Sequence, residues 1–127
     1  MLGLSQAQSN LLSEYKWQNR IILLFADSSE DPLFQQQKRL LEDYSEGLLE
    51  RDLVLFEIFE STVVSPEGDL SEEQADDFRK YFSVKEGFTL LLIGKDGGVK
   101  RSENTIVPAE DLFLQIDAMP MRIREMQ

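Results

Sequence analysis

The sequence predicts one α/β domain, a mixed sheet of about four strands with helices on both faces, and three observations carry that prediction. Short apolar runs, Ile21–Phe25, Leu53–Phe59 and Phe88–Ile93, alternate with longer stretches patterned at three- and four-residue intervals. The order reads β-α-β-α-β-β-α, whose β-α-β start requires a parallel pair joined by a right-handed crossover. A glycine-rich turn, Gly94-Lys95-Asp96-Gly97-Gly98, then closes an antiparallel hairpin. The 127 residues suffice for one domain, 1–127, and no repeat or low-complexity segment suggests a second.

Each element has a local reason. Residues 1–10 are polar and weakly patterned, a loose lead-in, and Leu11, Leu12 and Tyr15 have helical spacing before Trp17. Arg20–Ala26 (RIILLFA) reads as a strand buried on both faces. Asp27-Ser28-Ser29-Glu30 breaks it, and Asp31-Pro32 starts a helix, because aspartate caps free N–H groups and proline fits the first turn. Leu33, Gln37, Leu40, Leu41, Tyr44 and Leu48 form its inner stripe, all apolar but Gln37, with Gly47 near its end. Arg51-Asp52 is a polar corner before the second strand, Leu53–Phe59. Residues 61–70, with Pro66, Gly68 and Asp69, read as a loop. Ser71 and Gln74 have capping-box spacing for a helix whose inner face is Ala75, Phe78 and Phe82. Val99–Ser102 returns from the glycine turn as a charged edge strand. Pro108 opens a last helix with Leu112, Phe113, Ile116 and Met119 on one side, Pro120 stops it, and 121–127 is a tail.

Composition excludes several functions. Thirteen Lys and Arg face 24 Asp and Glu, a net charge of −11, which repels a nucleic-acid backbone and anionic membranes. The acidic excess is concentrated between Glu57 and Glu86, where only Arg79, Lys80 and Lys85 oppose it. A solvated face explains it, with a cationic partner as the lesser alternative. With no cysteine and no histidine, disulfides, thiolate nucleophiles, Cys/His zinc sites and imidazole bases are impossible. Calcium-loop spacing is absent, and the Gly-Lys of Gly94-Lys95 lies between strands rather than leading into a helix, so no cofactor is called for. No apolar run is long enough to span a bilayer, and residues 1–10 lack a signal peptide's basic and apolar regions.

The element order is that of the thioredoxin core. Trp17–Gln37 resembles that family's first strand, active-site turn and long helix, with Asp27–Pro32 where the family carries CxxC. Phe88–Lys100 resembles its hairpin, with Gly87-Phe88 at the position of the cis-proline. A closer resemblance is to the DUDES-type thioredoxin-like domains, a prokaryotic branch with relatives in vertebrate extracellular matrix proteins, the sushi-repeat-containing ones among them. It rests on Trp17, Arg20, Asp31, Gln37, Arg51–Leu55, Leu92–Lys100, Ile116–Arg122, Glu125 and Met126. It implies the fold, a periplasmic or secreted location if a leader has been removed, and no known activity.

The candidate binding residues follow. Asp27, Ser28, Ser29 and Asp31 stand where strand ends meet a helix start, the usual place for ligands in parallel sheets; helix capping alone also explains them. Gly87 and Phe88 complete the emptied redox site. Lys95, Lys100 and Arg101, with Arg122 and Arg124, are basic residues of an otherwise acidic C-terminal half; they pair internally with Asp96, Asp111 or Asp117, or face an acidic partner. Trp17 is expected against the first strand, and Arg20 on a carboxylate such as Asp117. The leading functional reading is a redox-inactive module that binds a protein partner. The alternatives are a non-thiol enzyme using Asp31 and Lys95 at the former site, and a structural domain that self-associates through a sheet edge.

Overall fold

A computed structural model describes residues 12–70 and 72–127, and the side chains of 69, 70, 72 and 73 lie outside the description. The expectations for residues 1–10, Leu11 and the Ser71 cap fall outside it as well. In chain order the elements are β1 (Arg20–Phe25), α1 (Pro32–Glu42), α2 (Ser45–Glu50), β2 (Leu53–Ile58), β3 (Val63–Ser65), β4 (Gly68–Leu70), α3 (Glu72–Phe82), β5 (Thr89–Ile93), β6 (Val99–Glu103), α4 (Ala109–Asp117) and α5 (Pro120–Glu125). One mixed sheet of six strands runs β4-β3-β2-β1-β5-β6. β1 pairs in parallel with β2, Ile22 opposite Leu55, and antiparallel with β5, Ile22 opposite Leu92. β6 is an edge, as its charge predicts.

The continuous apolar run of β1 is explained by a core on each side of the sheet. Ile22, Leu24 and Ala26 face Phe34 and Leu41 of α1 and Leu112 and Ile116 of α4. Ile21, Leu23 and Phe25 face Ala75 and Phe78 of α3, joined by Leu12 and Tyr15 from the turn before Trp17. Successive strand residues point to opposite faces, so each must be apolar where both faces are covered. Phe56 and Phe78 meet with ring centroids 6.0 Å apart, and Phe34 and Phe59 meet edge-on at 5.0 Å on the other side. Truncating one such buried ring costs about 3–5 kcal/mol.

The structure differs from the sequence expectation in three regions. Residues 61–70 form the β3–β4 hairpin rather than a loop. Val63 and Val64 favour extended backbone, and the Ser65 hydroxyl donates to the Gly68 carbonyl (2.8 Å) and accepts from Glu67 N–H (3.1 Å) across the turn. The long helix after Pro32 breaks at Asp43–Tyr44 into α1 and α2. The buried face of α1 is Phe34, Gln37 and Leu41, and Leu33 is turned outward. Pro120 does not end the chain's last helix: it opens α5, and the expected tail is helical. Proline holds the residue before it extended, and Met119 has ψ 140°, so α4 must stop while a new helix can start.

Candidate functional site

The sheet has two poles, and the candidate residues are divided between them. At the carboxyl end of β1, Asp31 accepts the Phe34 N–H (3.0 Å) and caps α1, as the sequence suggests. The Ser28 hydroxyl accepts from Glu30 N–H (3.2 Å), and the Ser29 carbonyl accepts from the Gln35 side chain (3.1 Å). Asp27 has a different role. Its carboxylate accepts the Gly87 N–H at 3.1 Å, tying the turn after β1 to the segment before β5. Gly87 has φ +94°, a conformation that suits glycine and turns its N–H toward Asp27. The Gly87–Phe88 peptide bond is trans.

Arg79 of α3, absent from the sequence-predicted set, completes this pole. Its guanidinium donates to the carbonyls of Phe59 (2.6 Å) and Ala26 (2.9 Å), the chain just beyond β2 and β1. It satisfies two strand-end acceptors that have no further strand partner. Nothing in its spacing distinguishes it from a surface arginine of an acidic helix. Beside Gly87 and Phe88 lies a hollow of about 510 Å³, bordered also by Lys85, Glu86, Thr89, Ser102, Glu103 and Asn104. Polar groups dominate that border, and Asp27–Asp31 do not reach it.

Lys95 lies at the other pole. Ile93 pairs with Ile21, so the residue two beyond it sits by the start of β1. Asp31 lies past its end, and the length of β1 between them is about 17 Å. The two residues therefore do not form one site, and the Asp31–Lys95 pairing proposed from sequence is not assembled. Lys95 is 8% exposed and donates to Asp52 (2.9 Å) and Glu125 (2.7 Å). Burial would lower its pKa, but hydrogen bonds to Glu125 and Asp52 outweigh it and the pKa is raised.

Arg20 is 1% exposed and holds Glu125 with both terminal nitrogens, at 3.1 and 3.3 Å. Asp117, the expected partner of Arg20, belongs instead to Arg51 (3.0 and 2.9 Å) and to Arg122 (2.9 Å). The hydrogen bond from Arg51 is the main reason that the Asp117 carboxyl is held below its usual range. Arg122 also reaches the Glu50 carboxylate at 2.7 Å. Lys100 pairs with Asp96 (2.9 Å) and Arg101 with Glu103 (3.1 Å), so of the predicted basic group only Lys95 and Arg122 share this network. Trp17 is not packed beside β1. It is 58% exposed with φ +69°, its N–H donating to the Lys95 carbonyl at 2.7 Å.

Fold and chemistry define a class: a thioredoxin-like domain whose sequence contains no cysteine and whose turn after β1 is held by aspartate hydrogen bonds. Among the described residues no group of acidic side chains is arranged to hold a metal ion, and no helix is long and apolar enough to cross a membrane. Residues 11–125 match the family described as domain of unknown function DUF4174, and the chain belongs to that family. It is 30% identical over 136 residues to coiled-coil domain-containing protein 80 of Danio rerio, a match covering 92% of this chain and 16% of that protein's length. Among solved structures it is similar to the reduced 2-Cys peroxiredoxin of Plasmodium vivax: TM-score 0.65, 13% identity, 91% of this chain and 85% of that one. Thioredoxin peroxidase I of Plasmodium yoelii gives a TM-score of 0.63 at 14% identity, covering 89% and 79%. At these identities the likeness establishes the fold alone.

Proposed function

We propose that this domain is a redox-inactive binding module of the DUDES type, which takes a polar segment of a partner protein into the hollow beside Gly87 and Phe88. The observation that carries the reading is that hollow of about 510 Å³, placed beside the strand end where thioredoxin-like sheets present their chemistry and bordered by hydrogen-bonding side chains. Ser102, Asn104 and Thr89 supply neutral donors and acceptors suited to an extended peptide backbone. Lys85 supplies a positive charge, and Glu86 and Glu103 supply negative ones. The Asp27–Gly87 hydrogen bond fixes one border, so the surface is set before a partner arrives.

Selection of binders from a displayed random-peptide library tests this. The selected peptides, titrated into ¹⁵N-labelled protein, should shift amide signals of residues 85–89 and 102–104. The double variant Lys85→Glu/Asn104→Ala should weaken them by about tenfold or more, the equivalent of one or two interfacial hydrogen bonds. Peptides that bind elsewhere, or the same affinity in the double variant, would count against the reading. Insulin reduction should stay at the uncatalysed rate, since no thiolate is present to attack a disulfide.

A further inference from the structure

Helix α5 is six residues long, shorter than a helix that holds itself in water. Arg122 is its only buried residue, and Ile123 is substantially exposed. With little apolar burial to dock it, α5 depends on charge. The groups facing it come from every neighbouring element: Arg20 from β1, Glu50 from α2, Arg51 and Asp52 from the corner before β2, Lys95 from the turn after β5, and Asp117 from the end of α4. Glu125 lies 3.1 Å from Arg20, 2.7 Å from Lys95 and 3.7 Å from Arg122 of its own helix. Arg122 is held by Glu50 at 2.7 Å and Asp117 at 2.9 Å. Arg51 ties Asp117 to α2, and Asp52 shares Lys95. The cations lie inside, and the carboxylates form the more exposed outer layer.

We propose that α5 is an ionic latch, shut by the Glu125 and Asp117 carboxylates and released from an intact sheet when they lose their charge. Release uncovers Arg20 and Lys95, and Lys95 keeps Asp52 as its partner. Burial pushes the Glu125 carboxyl up, but hydrogen bonds from Lys95 and Arg20 prevail and its pKa is lowered; Asp117 is lowered chiefly by Arg51. A group depressed on folding contributes stability above its unfolded pKa and loses it as pH falls through the folded one. The acid limb therefore opens below the ordinary values of 4.5 for Glu and 3.8 for Asp. Lys95 is raised, so its contribution persists to its ordinary 10.5 and is lost only as pH rises further, leaving the latch shut across neutral pH.

Amide hydrogen exchange on the full chain tests this. In Glu125→Gln at pH 7, the amides of residues 123–126 should exchange at least about tenfold faster, with β1 and β5 unchanged, because the charge-assisted pairings to Arg20 and Lys95 are lost. Met126→Ala, which trims an exposed side chain, should leave exchange as it was. In the unaltered protein, acidification should free the same amides at a higher pH than the sheet. Wild-type protection of α5 in Glu125→Gln, or α5 and sheet opening together on acidification, would overturn the latch. If Glu125→Gln does not fold, the acid titration of the unaltered protein decides alone.

Discussion

Gln37 shows how one residue can be legible in place and not in role. Helical spacing puts it among the core-facing residues of α1, where a polar side chain is out of pattern. The reason lies 70 residues away: its amide donates to the Val107 carbonyl (2.9 Å) and accepts the Val107 N–H (2.8 Å), both buried. Gln37→Leu would leave two backbone groups without partners, at about 1–3 kcal/mol each, partly offset by added apolar burial. A net loss of about 2–4 kcal/mol is expected in urea unfolding. Asp31→Ala removes only a cap and should lower stability by about 1 kcal/mol. The Asp31 cap could be read from sequence because its partner is three residues on. Arg20 on Glu125, Arg79 on two strand ends and Gln37 on Val107 could not, because side-chain pairing across folded elements leaves no local spacing. Trp17 misled for a different reason: its positive φ, which tryptophan rarely adopts, turns the backbone so that the ring faces outward.

At the scale of elements, apolar strands were legible and interruptions were not. Five apolar residues of β1, Ile21–Phe25, covered on both sides give an unmistakable run. Three-residue strands such as β3 and β4 are too short for alternation to register, so the turn chemistry of Pro66 and Gly68 dominated. Pro120 carried the opposite ambiguity, since one ring both ends a helix and suits the first turn of the next. Gly47 lies within α2, and a Cβ there would stand 2.6 Å from the Phe113 ring. Arg51 covers that ring at 4.0 Å and donates to the Gly47 carbonyl at 3.0 Å, and a Cβ on Gly47 would also stand 3.3 Å from its guanidinium, so the site is crowded. Gly47→Ala should gain about 1 kcal/mol of helix propensity. Forcing the ring aside is set against it at about 1–3 kcal/mol. A net fall in melting temperature is therefore expected, whereas a rise would show that Phe113 moves freely.

Over the whole molecule, the layout of mixed sheet and two helical layers was legible because patterning alone determines it, whereas the division of the candidate residues between two poles was not. Lys95 and Asp31 look like neighbours of one site only until the antiparallel β1–β5 register carries Lys95 back to the start of β1. That division sets a further expectation. The network beneath α5 brings opposite charges to 2.7–3.1 Å in partly buried surroundings, where salt screens weakly. The excess of −11 acts over longer distances between solvent-facing carboxylates, where screening is strong once the Debye length falls to about 8 Å near 0.15 M. Raising sodium chloride from a few millimolar to that concentration should therefore relieve repulsion more than it weakens the latch. The thermal midpoint should rise, most of the change coming before 0.15 M. Asp76→Lys, on the exposed side of α3, should raise the low-salt midpoint and flatten the salt response. A midpoint that falls with salt would mean that close ion pairs, rather than the dispersed acidic excess, dominate the electrostatics of the folded chain.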